Sequence, residues 1–434
     1  MRVFYFLLFT ITISYSQGIE GRYDGAVNRE GSIQVVSFNF FLDSGNQKAT
    51  YEIPECGLYD VPVENISIDN EDISFKFYYG DFDAKLKDNN KSILGLSVKW
   101  NPKIKIHLKK ATPIKKTYLS ESIKFKNEDI ELCGTLYIPD SKKHPNPKYV
   151  VLVHGSGNQD RNTYYYISFA HKLADNGIGV LFYDKRGTGK SKGVLAGASL
   201  SILAKDANSA LSYLKTRKDL NIERIGLLGT SQGGWISTIA QSEKELADFL
   251  ILNVGPAVSV YEQDLHRIKY SMKIDEWKQK SIDSALAYAR TYFNYAEKPT
   301  KKNWKILTRQ ITNVQNKNWK GYIKIPKSPE SMNWFISNNY NPKNDLENLQ
   351  IPVLSILGEI DPLVPPKENE ANMKSYLKKA NVNYKVVVIP DSPHDMITYA
   401  KFIGEDWQWP NSYWKWKKQD SKFMDVIVDF LKHI

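Results

Sequence analysis

The chain has 434 residues, 42% hydrophobic and 25% charged, which suits two domains or one large domain with an insertion and argues against global disorder. Only two cysteines occur, Cys56 and Cys133, so a disulfide-stapled scaffold is excluded, and no CxxC or Cys/His cluster points to zinc. The net charge of +11 comes from lysines spread along the chain among Asp, Asn and Glu, which reads as a solvated surface and not as a nucleic-acid site.

Residues 1–17 read MRVFYFLLFTITISYSQ. Arg2 is a short positive start, Val3 to Ile13 an apolar stretch, and Ser14 and Ser16 the small residues at which a signal peptidase cuts. The pattern predicts a signal peptide over residues 1–16 and a soluble, exported protein, periplasmic or extracellular. The apolar stretch is shorter than the roughly 20 residues a membrane span needs, and no later stretch is long and apolar enough. No cysteine follows the cut, so no lipid anchor is expected there. In an oxidising compartment Cys56 and Cys133 would be free to pair, although nothing in the sequence brings them together.

From Gly18 to Lys116 the hydrophobic period is two. Ile73, Phe75 and Phe77 alternate with Ser74 and Lys76; Phe82, Ala84 and Leu86 with Asp83 and Lys85; Ile104, Ile106 and Leu108 with Lys105 and His107. Successive side chains on a strand face opposite ways, so each run has one buried and one wet face. Turn residues at 43–46, 79–81 and 87–90 separate the runs. A small antiparallel β domain, sandwich or barrel, is predicted over 18–116.

From about Ser120 to the C-terminus, apolar strands alternate with helical patterns. Continuous runs at Tyr149–Val153, Gly179–Tyr183, Ile225–Gly229, Phe249–Leu252, Val353–Leu357 and Val386–Ile389 fit strands buried on both faces. Leu200, Leu203, Ala207, Ala210, Leu211 and Leu214 share one helical face, as do Phe423, Val426, Ile427, Phe430 and Leu431. This alternation predicts an α/β domain over 120–434, a parallel sheet with helices on both sides. Residues 256–346, rich in Trp and Tyr, break it and read as a helical insertion lying over the sheet.

Chemistry gathers at the ends of these strands. Gly229-Thr230-Ser231-Gln232-Gly233 is G-x-S-x-G directly between a strand and a helix, the setting that lifts a serine hydroxyl above a sheet. A serine nucleophile needs a base, and the base an orienting acid. His394 follows the last apolar strand, where sites form in parallel sheets. Asp361 follows the strand before it, with Glu359 the nearby competitor. The order Ser231, Asp361, His394 is a catalytic triad's. The Gln232 N–H at the helix start and the Ser156 N–H, in His154-Gly155-Ser156-Gly157 after the first strand, are the expected oxyanion donors. His154 itself reads as a structural hydrogen-bonding residue. Gly189-Lys190-Ser191 imitates the end of a phosphate-binding loop, but the glycine that motif needs five residues earlier is Asp184. A turn shaping the pocket wall is the better reading.

On these motifs, HGSG, YDKRGTGKS and GTSQG, residues 120–434 resemble the α/β-hydrolase superfamily, within it the exported bacterial esterases and the serine-aminopeptidase-like branch. The resemblance implies an eight-stranded, mostly parallel sheet, the insertion acting as a cap, and the five site residues above. A small β-rich domain often precedes such a hydrolase. The aromatic stretch with Trp407, Trp409, Trp414 and Trp416 departs from the pattern and reads as packing against the cap. The leading expectation is a serine hydrolase of carboxylic esters acting through an acyl-enzyme. It needs no metal or organic cofactor, and its partner is a small-molecule ester rather than nucleic acid. A serine peptidase or aminopeptidase on the same fold is the alternative, and a non-catalytic glycan- or lipid-binding protein a third.

Overall fold

The computed structural model describes residues 18–398, 418–419 and 421–434. The expected signal peptide and the four tryptophans from 407 to 416 lie outside the described residues. The chain divides into two compact units, one ending at Lys115 and the other beginning at Lys116.

The first unit is one sheet of β1 (Gly21–Arg29), β2 (Ser32–Asp43), β3 (Asn46–Ile53), β4 (Leu58–Pro62), β5 (Glu64–Asp69), β6 (Asp72–Phe77), β7 (Gly80–Lys87), β8 (Ser92–Ser97) and β9 (Lys105–Ala111). All neighbours are antiparallel, in the order β4-β3-β2-β1-β9-β8-β7-β6-β5. In that order β2 and β6 stand five places apart, about 24 Å if the sheet were flat. Yet the rings of Phe38 on β2 and Phe75 on β6 are 5.3 Å apart. The sheet therefore curls back on itself like a barrel, and its inner residues form one apolar core. The alternation read from the sequence is the cause: Ile73, Phe75, Phe77, Phe82, Leu86, Ile106 and Leu108 all point into that core. Cys56 is buried here and Cys133 in the second unit, and neither is in a disulfide, so the pairing that an oxidising compartment would allow is not made.

The second unit begins slightly before the expected 120, with an antiparallel pair that was not anticipated, β10 (Tyr118–Asn127) and β11 (Ile130–Pro139). Strands and helices then alternate: β12 (Tyr149–Val153), α1 (Tyr164–Asp175), β13 (Gly179–Tyr183), α2 (Leu200–Thr216), β14 (Ile225–Thr230), α3 (Gln232–Lys244) and β15 (Phe249–Asn253). The insertion follows, carrying α4 (Val260–Ile274), α5 (Gln279–Glu297), α6 (Lys301–Val314), α7 (Asn333–Ser337) and α8 (Lys343–Glu347). The alternation resumes with β16 (Val353–Gly358), α9 (Pro366–Ala380), β17 (Tyr384–Ile389) and α10 (Ser421–His433). The sheet has eight strands in the order β10-β11-β13-β12-β14-β15-β16-β17, parallel from β13 to β17.

Each central strand feeds two cores at once. Tyr149, Val151 and Val153 join one with α2, α3 and α9, whereas Val150 and Leu152 join the other with α1 and α10. Burial on both faces explains why these strands read as unbroken apolar runs. The insertion has a core of its own, centred on Ile268, Met272, Tyr292, Leu307, Trp319 and Met332.

Candidate active site

Thr230 ends β14 and Gln232 begins α3, so Ser231 alone makes the turn. Its backbone sits at φ 55, ψ −120, a strained conformation for a non-glycine residue, worth about 1–3 kcal/mol. The Ser231 N–H donates to the Asn253 carbonyl at 2.9 Å, and the Gly234 N–H donates back to the Ser231 carbonyl at 2.8 Å. The flanking glycines make the turn possible. A Cβ on Gly229 would lie 2.2 Å from the Gly233 carbonyl oxygen, and one on Gly233 would lie 2.2 Å from that of Val153. Both obstacles are backbone and cannot swing away. Gly233→Ala is therefore expected to destabilise the fold by about 1–3 kcal/mol, read as a lower Tm by circular dichroism. An unchanged Tm would mean that the contact of α3 with β12 is loose.

Above the turn, His394 Nε2 lies 3.0 Å from Ser231 Oγ, and His394 Nδ1 lies 2.7 Å from Asp361 Oδ2. The Asp361 side chain has no exposed surface. Its other oxygen accepts the N–H groups of Leu363 and Val364 at 2.8 and 2.9 Å. The carboxylate is thus held at both oxygens, and the imidazole is held by it. Glu359, the competing acid, faces elsewhere: its carboxylate accepts the Asp391 N–H at 2.8 Å and so ties the end of β16 to the loop that carries His394.

Ser156 and Gln232 line one cavity with Ser231, of about 210 Å³. Their N–H groups come from different places, a loop after β12 and the first turn of α3, where unpaired N–H groups and the helix dipole favour negative charge. His154, by contrast, is not the hydrogen-bonding residue the sequence suggested. Both its ring nitrogens are buried without a partner among the described residues. The ring packs edge-on against Tyr166 and Tyr183, at 4.5 and 5.2 Å between centroids. Burial, helped by the neighbouring Lys185 charge, pushes it down to about 3, so it is neutral. It acts as an aromatic spacer, since no acceptor or donor among the described residues reaches it.

The family model for serine aminopeptidase, S33, matches residues 144–398, which include Ser156, Ser231, Gln232, Asp361 and His394. The chain belongs to this family of α/β-hydrolases. Among curated proteins it is 29% identical over 136 residues to the uncharacterized protein YfhR of Escherichia coli O157:H7, covering 31% of this chain and 46% of that one. With YfhR of Salmonella typhi it shares 30% identity over 115 residues, 26% of this chain and 38% of that one. The chain thus spans less than half the length of these relatives. Among solved structures, an esterase of Pyrococcus furiosus aligns over 73% of this chain and 91% of its own at 19% identity, with a TM-score of 0.46. A proline iminopeptidase of Mycobacterium smegmatis aligns over 72% and 98% at 16% identity, with a TM-score of 0.44.

In this S33 chain the cap supplies residues that sequence reasoning missed. A capping box starts α4: the Glu262 N–H donates to Ser259 Oγ at 3.2 Å, and the Ser259 N–H donates to the Glu262 carboxylate at 2.9 Å. That start directs Gln263, Asp264 and Arg267 into the lining of the Ser231 cavity, beside Trp235, Phe335 and Leu363. Gln263 Nε2 donates to the Leu363 carbonyl, while its Oε1 is buried with no partner among the described residues. Asp264 pairs with Arg267 at 2.5 Å. Asp264, Arg267 and Phe335 also line a second cavity of about 360 Å³ within the cap, whose other walls include Tyr292, Phe293 and Tyr322. The only sequence signal for this group is an Asp–Arg pair at i,i+3 behind the Ser259–Glu262 box; nothing says which way the helix faces.

The loop resembling a phosphate-binding motif is filled from within. The Asp184 carboxylate accepts the N–H groups of Arg161 and Lys190, both at 2.8 Å, and a Cβ on Gly189 would meet it at 2.5 Å. A carboxylate stands where that motif would hold phosphate. Among the described residues no helix is long and apolar enough to cross a membrane.

Proposed function

We propose that this hydrolase is an exported serine peptidase of aminopeptidase type, acting on small substrates with a free amino end. The observation that carries the reading is the continuous chain of contacts from Ser231 Oγ through His394 to the buried Asp361. Ser231 attacks the substrate carbonyl while His394 Nε2 takes its proton. The Gln232 and Ser156 N–H groups receive the oxyanion, each worth roughly 3 kcal/mol. His394 then protonates the leaving amine, and a water activated by the same imidazole clears the acyl-enzyme. Export rests on the pattern of residues 1–17.

The choice of a peptide over the ester favoured by the sequence has two supports. One is membership of the S33 family. The other is what the cap brings to the cavity: the free Gln263 Oε1, and the Asp264 carboxylate, which Arg267 holds at both oxygens and whose remaining lone pairs suit an ammonium group. Esters remain the second reading, favoured by the apolar lining from Trp235, Val260, Trp334, Phe335 and Leu363. Assaying aminoacyl p-nitroanilides beside p-nitrophenyl esters separates the two. Asp264→Asn is expected to lower kcat/KM on anilides about 10- to 100-fold, as for a charged hydrogen bond lost, and on acetate esters by less than about 3-fold. Equal losses on both substrates, or turnover of esters alone by the wild type, would reject the amine site.

A further inference from the structure

Lys185, in the loop after β13, has no role in the reaction outlined above. It is 4% exposed, and its ammonium donates to the Gly155 carbonyl at 2.8 Å and the Gly157 carbonyl at 3.2 Å. Among the described residues no carboxylate pairs with it. Asp184 beside it is taken by Arg161 and Lys190, and Asp206 is taken by Arg186. A buried ammonium without a counter-ion is costly to keep, and an aliphatic side chain would fill the space more cheaply.

The Gly155 carbonyl and the Ser156 N–H are two ends of one peptide group. In a trans peptide they point in opposite directions. Gripping the carbonyl therefore aims the N–H away from Lys185, on the side of the Ser231 cavity that Ser156 lines. The other end of Gly155 is also held, since its N–H donates to Tyr166 Oη at 2.8 Å. A cation on the carbonyl further polarises the amide and strengthens its N–H as a donor.

We propose that Lys185 is a positioning residue for the oxyanion hole, its ammonium orienting and polarising the Gly155–Ser156 peptide so that the Ser156 N–H meets the developing oxyanion. The proposal rests on the reading of Ser231 as nucleophile and Ser156 as donor. The titratable groups that face Lys185 add no negative charge. His154 at the end of β12 is neutral, Tyr166 on α1 and Tyr183 on β13 are raised by burial, and Arg161 and Asp184 neutralise each other. Burial brings the ammonium itself down to about 8. The charge is present below that pH and is lost above it, so kcat should fall as the pH rises through about 8.

The test measures kcat and KM from pH 6 to 10 for the wild type and Lys185→Met, on the best p-nitrophenyl ester or aminoacyl anilide. Mass spectrometry of a fluorophosphonate adduct on Ser231 is run alongside. The wild type should lose kcat above pH 8 along a single ionisation. Lys185→Met should lower kcat about 10²- to 10³-fold with KM little changed, abolish the alkaline limb, and still be labelled to completion. If that variant does not fold, the wild-type profile decides, read against Tyr166→Phe, which loosens the same loop but should keep the limb. A flat wild-type profile from pH 7 to 10, or an undiminished kcat in Lys185→Met, overturns the proposal. Failure of the wild type to be labelled at Ser231 rejects the reading beneath it, and the proposal falls with that reading.

Discussion

Ser231→Ala is expected to lower kcat by a factor on the order of 10⁴ or more on any substrate the wild type turns over. The imidazole 3.0 Å away would then have no hydroxyl to deprotonate, and only the oxyanion donors and substrate binding would remain. Tm should change little, because the strain at this position belongs to the backbone, φ 55, and alanine inherits it. The measurement is initial rates on the ester and anilide series with equal amounts of folded protein. Equal activity in both proteins would mean that Ser231 is not the nucleophile, whatever its geometry.

Asp361→Asn should cost about as much, on the order of 10⁴ in kcat. The argument is one of donors and acceptors. The carboxylate accepts from Leu363 and Val364 on one oxygen and faces His394 Nδ1 with the other. If the new amide keeps its oxygen on the two N–H groups, its NH₂ faces Nδ1 and forces the proton to Nε2. His394 then cannot accept from Ser231. If the amide turns over, the NH₂ meets two N–H donors in a site with no exposed surface, leaving buried donors unpaired at about 1–3 kcal/mol each. A kcat within about tenfold of the wild type would show that the acid does not set the tautomer. Glu359→Gln, whose side chain accepts the Asp391 N–H, is the natural control.

The contacts at the centre of the site were legible from local pattern because each member sits at a strand end. Ser231 was marked by its glycines, and the structure shows why: no side chain fits at 229 or 233. Asp361 and His394 were marked by following consecutive apolar strands, β16 and β17, whose parallel pairing sets their two loops side by side. The hydrogen bonds separate the two acids: Asp361, the sequence's choice, faces His394 Nδ1, whereas Glu359 accepts the Asp391 N–H.

Other features were invisible for stated reasons. The β10–β11 pair is hidden because Ile123 and Phe125 alternate with lysines like the strands before them, yet lie inside the stretch whose pattern reads as buried strands alternating with helices. His154 looked like a hydrogen-bonding residue because the type usually is one; its isolation depends on Tyr166 and Tyr183, which come from other elements. Lys185 looked like part of a turn because the Gly155 carbonyl it grips is 30 residues away in the chain.

By itself, then, the order of residues determined the two hydrophobic periods, the strand runs, and the serine, acid and histidine in their chain order. These follow from local rules: side-chain alternation, tight turns that only glycine permits, and loops at the ends of buried strands. The tertiary structure decided that the β domain is a curled sheet, which of two acids faces His394, that the cap brings Gln263 and Asp264 to the cavity, and that Lys185 lies behind the Gly155–Ser156 peptide. Each of these depends on the direction in which a side chain points across a long-range contact, and direction is set by packing, not by spacing along the chain.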